Sequence, residues 1–180
     1  MRLSVRRLFL LRFIPLSLAA FCILWGGMLL YAGVAFAASP SGVLPLPRFV
    51  SLRADQVNMR AGPGARYPVD WVYMRRDLPV EVIAEYETWR KIRDPDGTEG
   101  WVHQSMLAGR RMAVVRGRKA MLRRTADDSS SAAAWLDPGV VLRLHQCPPG
   151  SEYCRVEVEG YQGWLRRGEI WGIYKGEIVD

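Results

Sequence analysis

The stretch WRKIRDPDGTEGWV, residues 89–102, predicts a β-hairpin. Two strand-like runs, Trp89 to Arg93 and Glu99 to Val102, flank the pair Asp96-Gly97. An Asp-Gly pair between such runs is a strong hairpin signal, because glycine adopts a positive φ without steric cost. This part of the chain is therefore typical of antiparallel β structure.

A related pattern returns in the second half of the chain. Gly100-Trp101-Val102 corresponds to Gly163-Trp164-Leu165, and Met59-Arg60 corresponds to Leu122-Arg123. The arginine and the tryptophan are 41 positions apart in both copies. Self-similarity at a fixed spacing indicates two copies of one small structural unit.

The rest of each copy also predicts short strands. In the first copy, apolar or alternating runs lie at residues 49–52, 57–59, 68–74 and 80–84. Residues 103–107 predict one short helical turn, and no longer segment after the N-terminal apolar run has helical periodicity. The sequence therefore predicts an all-β protein with two tandem barrels of roughly five or six short strands each.

The N-terminus has the composition of an export signal. Four arginines within residues 2–12 precede an uncharged segment that continues to Arg48, and Ala35-Phe36-Ala37 offers small residues at the positions that a signal peptidase recognises. We therefore expect cleavage after Ala37 and a periplasmic or secreted protein. The apolar run of 26 residues from Phe13 to Ala38 could also span a bilayer, so an uncleaved signal anchor in the inner membrane is the alternative.

These features predict the order of segments along the chain. They are a signal peptide or signal-anchor helix at 1–37, a proline-rich linker at 38–50, the first barrel at 51–109, a basic connector at 110–118 and the second barrel at 119–180. Residues 1–37 hold four arginines and no acid, so 21 of the 25 basic residues and all 18 acidic residues remain after cleavage. That mild positive balance gives no argument for nucleic acid as a partner.

Several motifs of the first copy, in this order and spacing, resemble the bacterial SH3 domain. They are NMRAGPG at residues 58–64, Trp89 with Ile92, the Asp-Gly turn and GWV at residues 100–102. The resemblance is good over residues 53–109 and degraded over residues 117–172, where the Gly-Pro-Gly loop is absent. It implies two SH3-like barrels that bind rather than catalyse, similar to modules that target enzymes to the bacterial cell wall.

The resemblance also nominates ligand-binding residues near the loop after the first strand, namely Asn58, Arg60, Tyr67 and Trp71. The first copy carries six aromatic residues, which are Tyr67, Trp71, Tyr73, Tyr86, Trp89 and Trp101. A barrel this small cannot bury all of them, so some rings are expected to line an exposed groove where peptides or sugars stack. The core is expected to contain Val69, Val80, Val82, Ile92 and Val102.

The motif CPPGSEYC places Cys147 and Cys154 between two strand-like runs. In an exported protein, an even pair of cysteines across the mouth of a hairpin favours a structural disulfide. A redox pair or a metal site with His145 is the alternative. Six intervening residues and too few ligands argue against both.

Seven basic residues fall within fifteen positions that contain no acid: Arg110, Arg111, Arg116, Arg118, Lys119, Arg123 and Arg124. They predict either a solvated basic face or attraction to an anionic partner, such as a phospholipid surface, an acidic polymer or an acidic protein. Beyond this cluster, the sequence offers no catalytic nucleophile with a base, no paired carboxylates and no metal-ligand spacing.

We therefore expect an exported, non-catalytic binding module without a cofactor, and peptidoglycan or another envelope component as its ligand. A protein-protein adaptor in envelope assembly, or an accessory subunit of a separately encoded cell-wall enzyme, is the alternative.

Overall fold

The computed structural model describes residues 44–180, which form β structure with two short 3₁₀ turns. The predicted signal segment at 1–37 and the first part of the linker lie outside the described residues. Within residues 44–180 no helix is long and apolar enough to cross a membrane. The described strands form two antiparallel sheets of seven strands each.

The first barrel contains one sheet with the strand order β3-β2-β6-β5-β4-β1-β7. Its strands are β1 (Arg48–Leu52), β2 (Val57–Arg60), β3 (Val69–Tyr73), β4 (Pro79–Tyr86), β5 (Trp89–Arg93), β6 (Glu99–His103) and β7 (Leu107–Ala108). A 3₁₀ turn at Gln104–Met106 joins β6 to β7, where the sequence predicted a short helical turn. The predicted hairpin at residues 89–102 is formed by β5 and β6.

The second barrel repeats this arrangement with the order β10-β9-β13-β12-β11-β8-β14. Its strands are β8 (Met112–Val115), β9 (Ala120–Arg123), β10 (Ala132–Leu136), β11 (Val141–Gln146), β12 (Tyr153–Val158), β13 (Tyr161–Arg166) and β14 (Ile170–Trp171). A 3₁₀ turn at Arg167–Glu169 again precedes the last strand. The identical order confirms the repeat.

Each sheet has one or two strands more than the sequence predicted. The additional elements include β7 and β14, which contain two residues each and pair with the first strand of their barrel. Two residues are too few to produce a visible alternation of apolar and polar side chains. This is why the sequence did not reveal these strands.

Two segments predicted as linkers contribute strands. β1 begins at Arg48, inside the segment 38–50, and β8 lies inside the segment 110–118. The four residues of β8 are buried, and the strand pairs with β11, but flanking arginines mask this short apolar run in the sequence. The connection between β7 and β8 is therefore only residues 109–111.

The core of the first barrel includes most of the valines and the isoleucine that the sequence assigned to it. Val80, Val82, Ile92 and Val102 are fully buried. The assignment of Val69 to the core was wrong, because its exposed fraction is 41%. Val69 lies on β3, which is an edge strand, and the first four residues of that strand are exposed.

The glycine of each Gly-Trp pair allows two strands to approach closely. A Cβ on Gly100 would lie 2.5 Å from Cγ of Met59, and one on Gly163 would lie 2.6 Å from the carbonyl oxygen of Arg123. Both distances are shorter than a normal contact. The repeated glycine is therefore explained by packing of β6 against β2 and of β13 against β9.

Cys147 and Cys154 form the predicted disulfide, with their Cα atoms 4.3 Å apart. The bond lies beside the register pair Gln146–Arg155 and closes the loop between β11 and β12. Cys147 also exchanges two backbone hydrogen bonds with Val179. The disulfide thus connects the β11–β12 hairpin to the C-terminal segment, and both sulfur-bearing residues belong to the core of the second barrel.

The two barrels pack against each other within one compact unit. The ring of Phe49 contacts Trp171 edge-on, with the centroids 4.9 Å apart, and lies 4.6 Å from the ring of Tyr174. The hydroxyl of Tyr174 donates a hydrogen bond of 2.8 Å to Oε1 of Glu81, a carboxylate that is largely buried. Arg75 donates to the carbonyl oxygen of Gly139 across the same junction.

Candidate functional site

A groove of about 390 Å³ opens on the first barrel. Its lining residues are Gln56, Asn58, Arg60, Trp89, His103 and Met106, and we call this surface the first groove. Its volume lies at the lower end of the range for small-ligand pockets. Aromatic, amide, cationic and thioether side chains line it together, so it can combine stacking with hydrogen bonding.

The alternation of side chains along β2 determines which of its residues line the groove. Val57 and Met59 are buried in the core, whereas Asn58 is exposed and Arg60 half-buried. Because successive side chains of a strand point to opposite faces, Asn58 and Arg60 share the face away from the core. The structure therefore brings together two of the four ligand-binding residues that the sequence nominated.

Trp89 and His103 form the opposite side of the groove. They are register partners at the start of β5 and the end of β6. Their rings meet edge to face, with centroids 5.4 Å apart and planes at 82°. Each ring limits the movement of the other, so the groove has a preformed aromatic wall.

The hydrogen bonds of His103 define its neutral tautomer. The backbone N–H of Ser105 can only donate, and it lies 3.3 Å from Nδ1 of His103. Nδ1 therefore accepts, and it also lies 2.7 Å from the hydroxyl of Ser105. The proton of the neutral ring is then on Nε2, which leaves Nε2–H as a donor for a ligand.

Arg60 fastens the loop between β2 and β3. Its Nη1 donates to the carbonyl oxygens of Ala65 and Tyr67 at 3.1 and 2.7 Å. The ring of Tyr67 covers Gly62 so closely that a Cβ there would lie 2.5 Å from the ring. Tyr67 therefore packs within its own loop, and it does not line the first groove.

Trp71 also lies outside the first groove. Its register partner is Met59, and paired residues of antiparallel strands share one face of the sheet, which here is the face opposite Asn58. Its exposed fraction is 56%. The structure thus separates Tyr67 and Trp71 from the surface that holds Asn58 and Arg60.

Sequence reasoning did not nominate four of the six groove residues: Gln56, Trp89, His103 and Met106. Trp89 is one of the six aromatic residues of the first copy, but the sequence does not indicate which of their rings are exposed in a groove. The register of the hairpin could have identified the pair, because it places Trp89 opposite His103. Gln56 could have been found from its two-residue spacing to Asn58 and Arg60.

In the second barrel, different side chains lie at the position that corresponds to the first groove. Arg123 pairs with Trp164 as Arg60 pairs with Trp101. Tyr153 and Arg166 are register partners, and Arg166 precedes the 3₁₀ turn as His103 does in the first barrel. Tyr153 and Arg166 therefore correspond to Trp89 and His103.

A carboxylate from the same chain occupies this second position. The hydroxyl of Tyr153 and Nη2 of Arg166 both donate to Oδ1 of Asp128, which lies in the loop between β9 and β10. Hydrogen bonds from Tyr153 and then from Arg166 lower the pKa of Asp128, so the group is an ionised carboxylate at neutral pH. The guanidinium groups of Arg123 and Arg166 lie 5.6 and 5.9 Å from the centroid of the Tyr153 ring.

The basic cluster is only partly available to a partner. Four of its members form ion pairs: Arg110 with Asp77, Arg111 with Glu177, Lys119 with Asp137 and Arg123 with Glu169. Arg116, Arg118 and Arg124 are exposed, and none of them forms an ion pair within residues 44–180. Arg111 and Arg123 serve packing, since they lie against Phe49 and Tyr153.

The described residues hold no group of three or more His, Cys, Asp and Glu side chains that could bind a metal ion. The two cysteines of this part of the chain are joined to each other. What the fold and the groove define is a small all-β module with a preformed aromatic and cationic surface.

Comparison with known families agrees with that class. The family model described as the bacterial SH3 domain matches residues 53–109 and again residues 116–172. The chain therefore belongs to the bacterial SH3 domain family, and it carries two tandem copies. Domains of this family are typically non-catalytic binding modules, commonly of the cell wall, and they are usually extracellular or periplasmic.

Two solved structures show distant similarity. The NlpC2 structure from Trichomonas vaginalis is 11% identical at a TM-score of 0.33, covering 74% of this chain and 50% of that one. The NlpC1 structure from the same organism is also 11% identical at 0.33, covering 79% and 51%. This chain thus spans about half the length of each. A comparison with curated proteins found no match.

Proposed function

We propose that this protein is an exported binding module that recognises peptidoglycan or another component of the bacterial cell envelope through the first groove. The observation that carries this proposal is the preformed groove itself, in which Trp89 is held against His103 opposite Asn58 and Arg60. Exposed aromatic faces bind sugars and peptides by stacking, and the neighbouring amide and guanidinium groups supply hydrogen bonds.

The second barrel serves as a structural partner in this account. At the position that corresponds to the first groove, Tyr153 and Arg166 already donate hydrogen bonds to Asp128 of the same chain. The packing of Phe49 against Trp171 and Tyr174 holds the second barrel against the first strand of the first barrel. Binding and support are thereby divided between two copies of one fold.

The test is sedimentation of the purified protein with cell-wall sacculi. We expect the wild-type protein to sediment with sacculi and Trp89→Ala to lose about five- to 150-fold in affinity, since loss of a stacking ring costs about 1–3 kcal/mol in sites that stack planar ligands. Trp71→Ala is the matched control, because Trp71 is an exposed tryptophan of the same barrel outside the groove. Its affinity should stay within about twofold of wild type.

Two results would contradict the proposal. Equal sedimentation of the two tryptophan variants would remove the first groove from binding. Failure of the wild-type protein to sediment, together with recovery of one specific protein from envelope extracts, would favour the adaptor function instead.

A further inference from the structure

The two barrels place cationic and aromatic side chains at equivalent positions, but only the second barrel supplies its own carboxylates there. Arg166 and Tyr153 donate to Asp128, and Arg123 lies 3.4 Å from Oε2 of Glu169. Glu169 also accepts a 2.9 Å hydrogen bond from the backbone N–H of Arg166. Both arginines of this position are therefore neutralised internally.

The first groove has the donors without the acids. Met106 is the third residue of its 3₁₀ turn, where the second barrel has Glu169. No acidic side chain lines the groove, and Arg60 forms no ion pair within residues 44–180. The hydrogen bonds of its guanidinium go to two carbonyl oxygens through Nη1.

The donors of the first groove suit a carboxylate. A guanidinium presents several N–H groups in one plane, and its hydrogen bonds to a carboxylate are roughly twice as strong as neutral ones. The Nε2–H of His103 adds a second donor. Trp89 stands where Tyr153 stands in the second barrel and offers an apolar ring in place of the hydroxyl that Tyr153 donates to Asp128. In the second barrel, carboxylates lie beside the residues that correspond to Arg60 and His103, Glu169 beside Arg123 and Asp128 beside Arg166.

We propose that the first groove binds a peptide of the envelope polymer through a free carboxylate, which accepts hydrogen bonds from Arg60 and His103 beside the ring of Trp89. This inference rests on the proposed function and specifies the part of the ligand that is recognised. In the second barrel Asp128 already accepts from Arg166, the residue that corresponds to His103.

The first experiment compares two small probes on the full-length protein. Acetyl-Ala-Ala with a free C-terminal carboxylate is titrated against the same peptide as its C-terminal amide, and the side-chain NMR signals of Trp89 and His103 are followed. We expect saturable shifts with the acid and at least about tenfold weaker binding of the amide, because one charge-assisted interaction is lost. Equal responses to both peptides, or no response to either, would overturn the inference.

Two arginine variants distinguish specific binding of a carboxylate from non-specific attraction of anions. Arg60→Gln should abolish the preference for the acid over the amide, whereas Arg53→Gln, which changes an exposed arginine outside the groove, should retain it. Inorganic phosphate at equal concentration should not displace the acid. Displacement by phosphate would show that the site accepts any anion, and that result would overturn the carboxylate assignment.

A second experiment distinguishes this inference from the proposed function. Sedimentation is measured with native sacculi and with sacculi whose free carboxylates have been converted to amides. Loss of binding on amidation supports both statements. Equal binding to both preparations overturns the carboxylate inference and leaves the envelope function standing. Absence of binding to both preparations overturns the envelope function, and the peptide titration then decides whether the first groove binds a carboxylate.

Discussion

Individual glycines decide how closely the strands of each barrel pack. Gly100 and Gly163 precede the equivalent tryptophans of the two copies, Trp101 and Trp164. Each glycine lies against a neighbouring strand where no Cβ fits. The nearest atoms differ in kind. Gly100 faces the flexible side chain of Met59, whereas Gly163 faces the carbonyl oxygen of Arg123, which belongs to the backbone.

This difference predicts unequal effects of the same substitution. Gly163→Ala should lower the free energy of unfolding by about 2–3 kcal/mol, because a backbone carbonyl must move to accommodate the methyl group. Gly100→Ala should cost about 1 kcal/mol, since the Met59 side chain can change its rotamer. Denaturant titration of both variants checks this, and an equal or reversed order would contradict the packing explanation.

The candidate site could be predicted only in part at the level of residues. Asn58 and Arg60 followed from the resemblance in the NMRAGPG motif, and the structure places both in the first groove. Tyr67 and Trp71 lie elsewhere, because aromatic character does not reveal which face of an edge strand or which side of a loop a ring occupies. The internal acid Asp128 could not be predicted, since its contact with Arg166 joins a loop and a strand 38 positions apart.

At the level of elements, the hairpins were the most predictable part of the protein. The Asp-Gly and Glu-Gly pairs marked the turns after β5 and β12, and Glu159 and Gly160 both have positive φ values, as a tight hairpin turn requires. Local signals of this kind need no knowledge of tertiary contacts. The short strands β7 and β14 carry no such signal, because their pairing partners are distant in the sequence.

The disulfide stabilises one of these hairpins and the C-terminal segment that pairs with Cys147. Replacement of both Cys147 and Cys154 by Ser should lower the free energy of unfolding of the protein by about 2 kcal/mol, the low end for disulfides, because the closed loop is short. Hydrogen exchange should accelerate in β11 and β12 more than in β4 and β5. Free thiols in protein isolated without reductant would contradict this account.

For the molecule as a whole, the repeat was predictable but the docking of its two copies was not. The contact residues Phe49, Trp171 and Tyr174 look like ordinary members of their own barrels in the sequence. The short connection at residues 109–111 also suggests no particular orientation. Docking depends on complementary surfaces, and periodicity along one strand contains no information about a surface of another barrel.

The docked arrangement predicts cooperative unfolding. The wild-type protein should show one calorimetric transition, because the barrels share the packing around Phe49 and the hydrogen bond between Tyr174 and Glu81. Phe49→Ala should lower the free energy of unfolding by about 3–5 kcal/mol and split the single transition into two. Trp135→Ala, an exposed ring of the second barrel, should leave a single transition. Two transitions already present in the wild type would contradict a coupled pair of barrels.

We propose that this protein binds its ligand in the open groove of the first barrel. The most direct measurement is the NMR spectrum of the tryptophan indole N–H groups during titration with soluble fragments of digested sacculi. We expect a saturable shift of Trp89 while the exposed rings Trp71 and Trp135 stay unchanged. A shift confined to Trp71 or Trp135, with Trp89 unaffected, would contradict it.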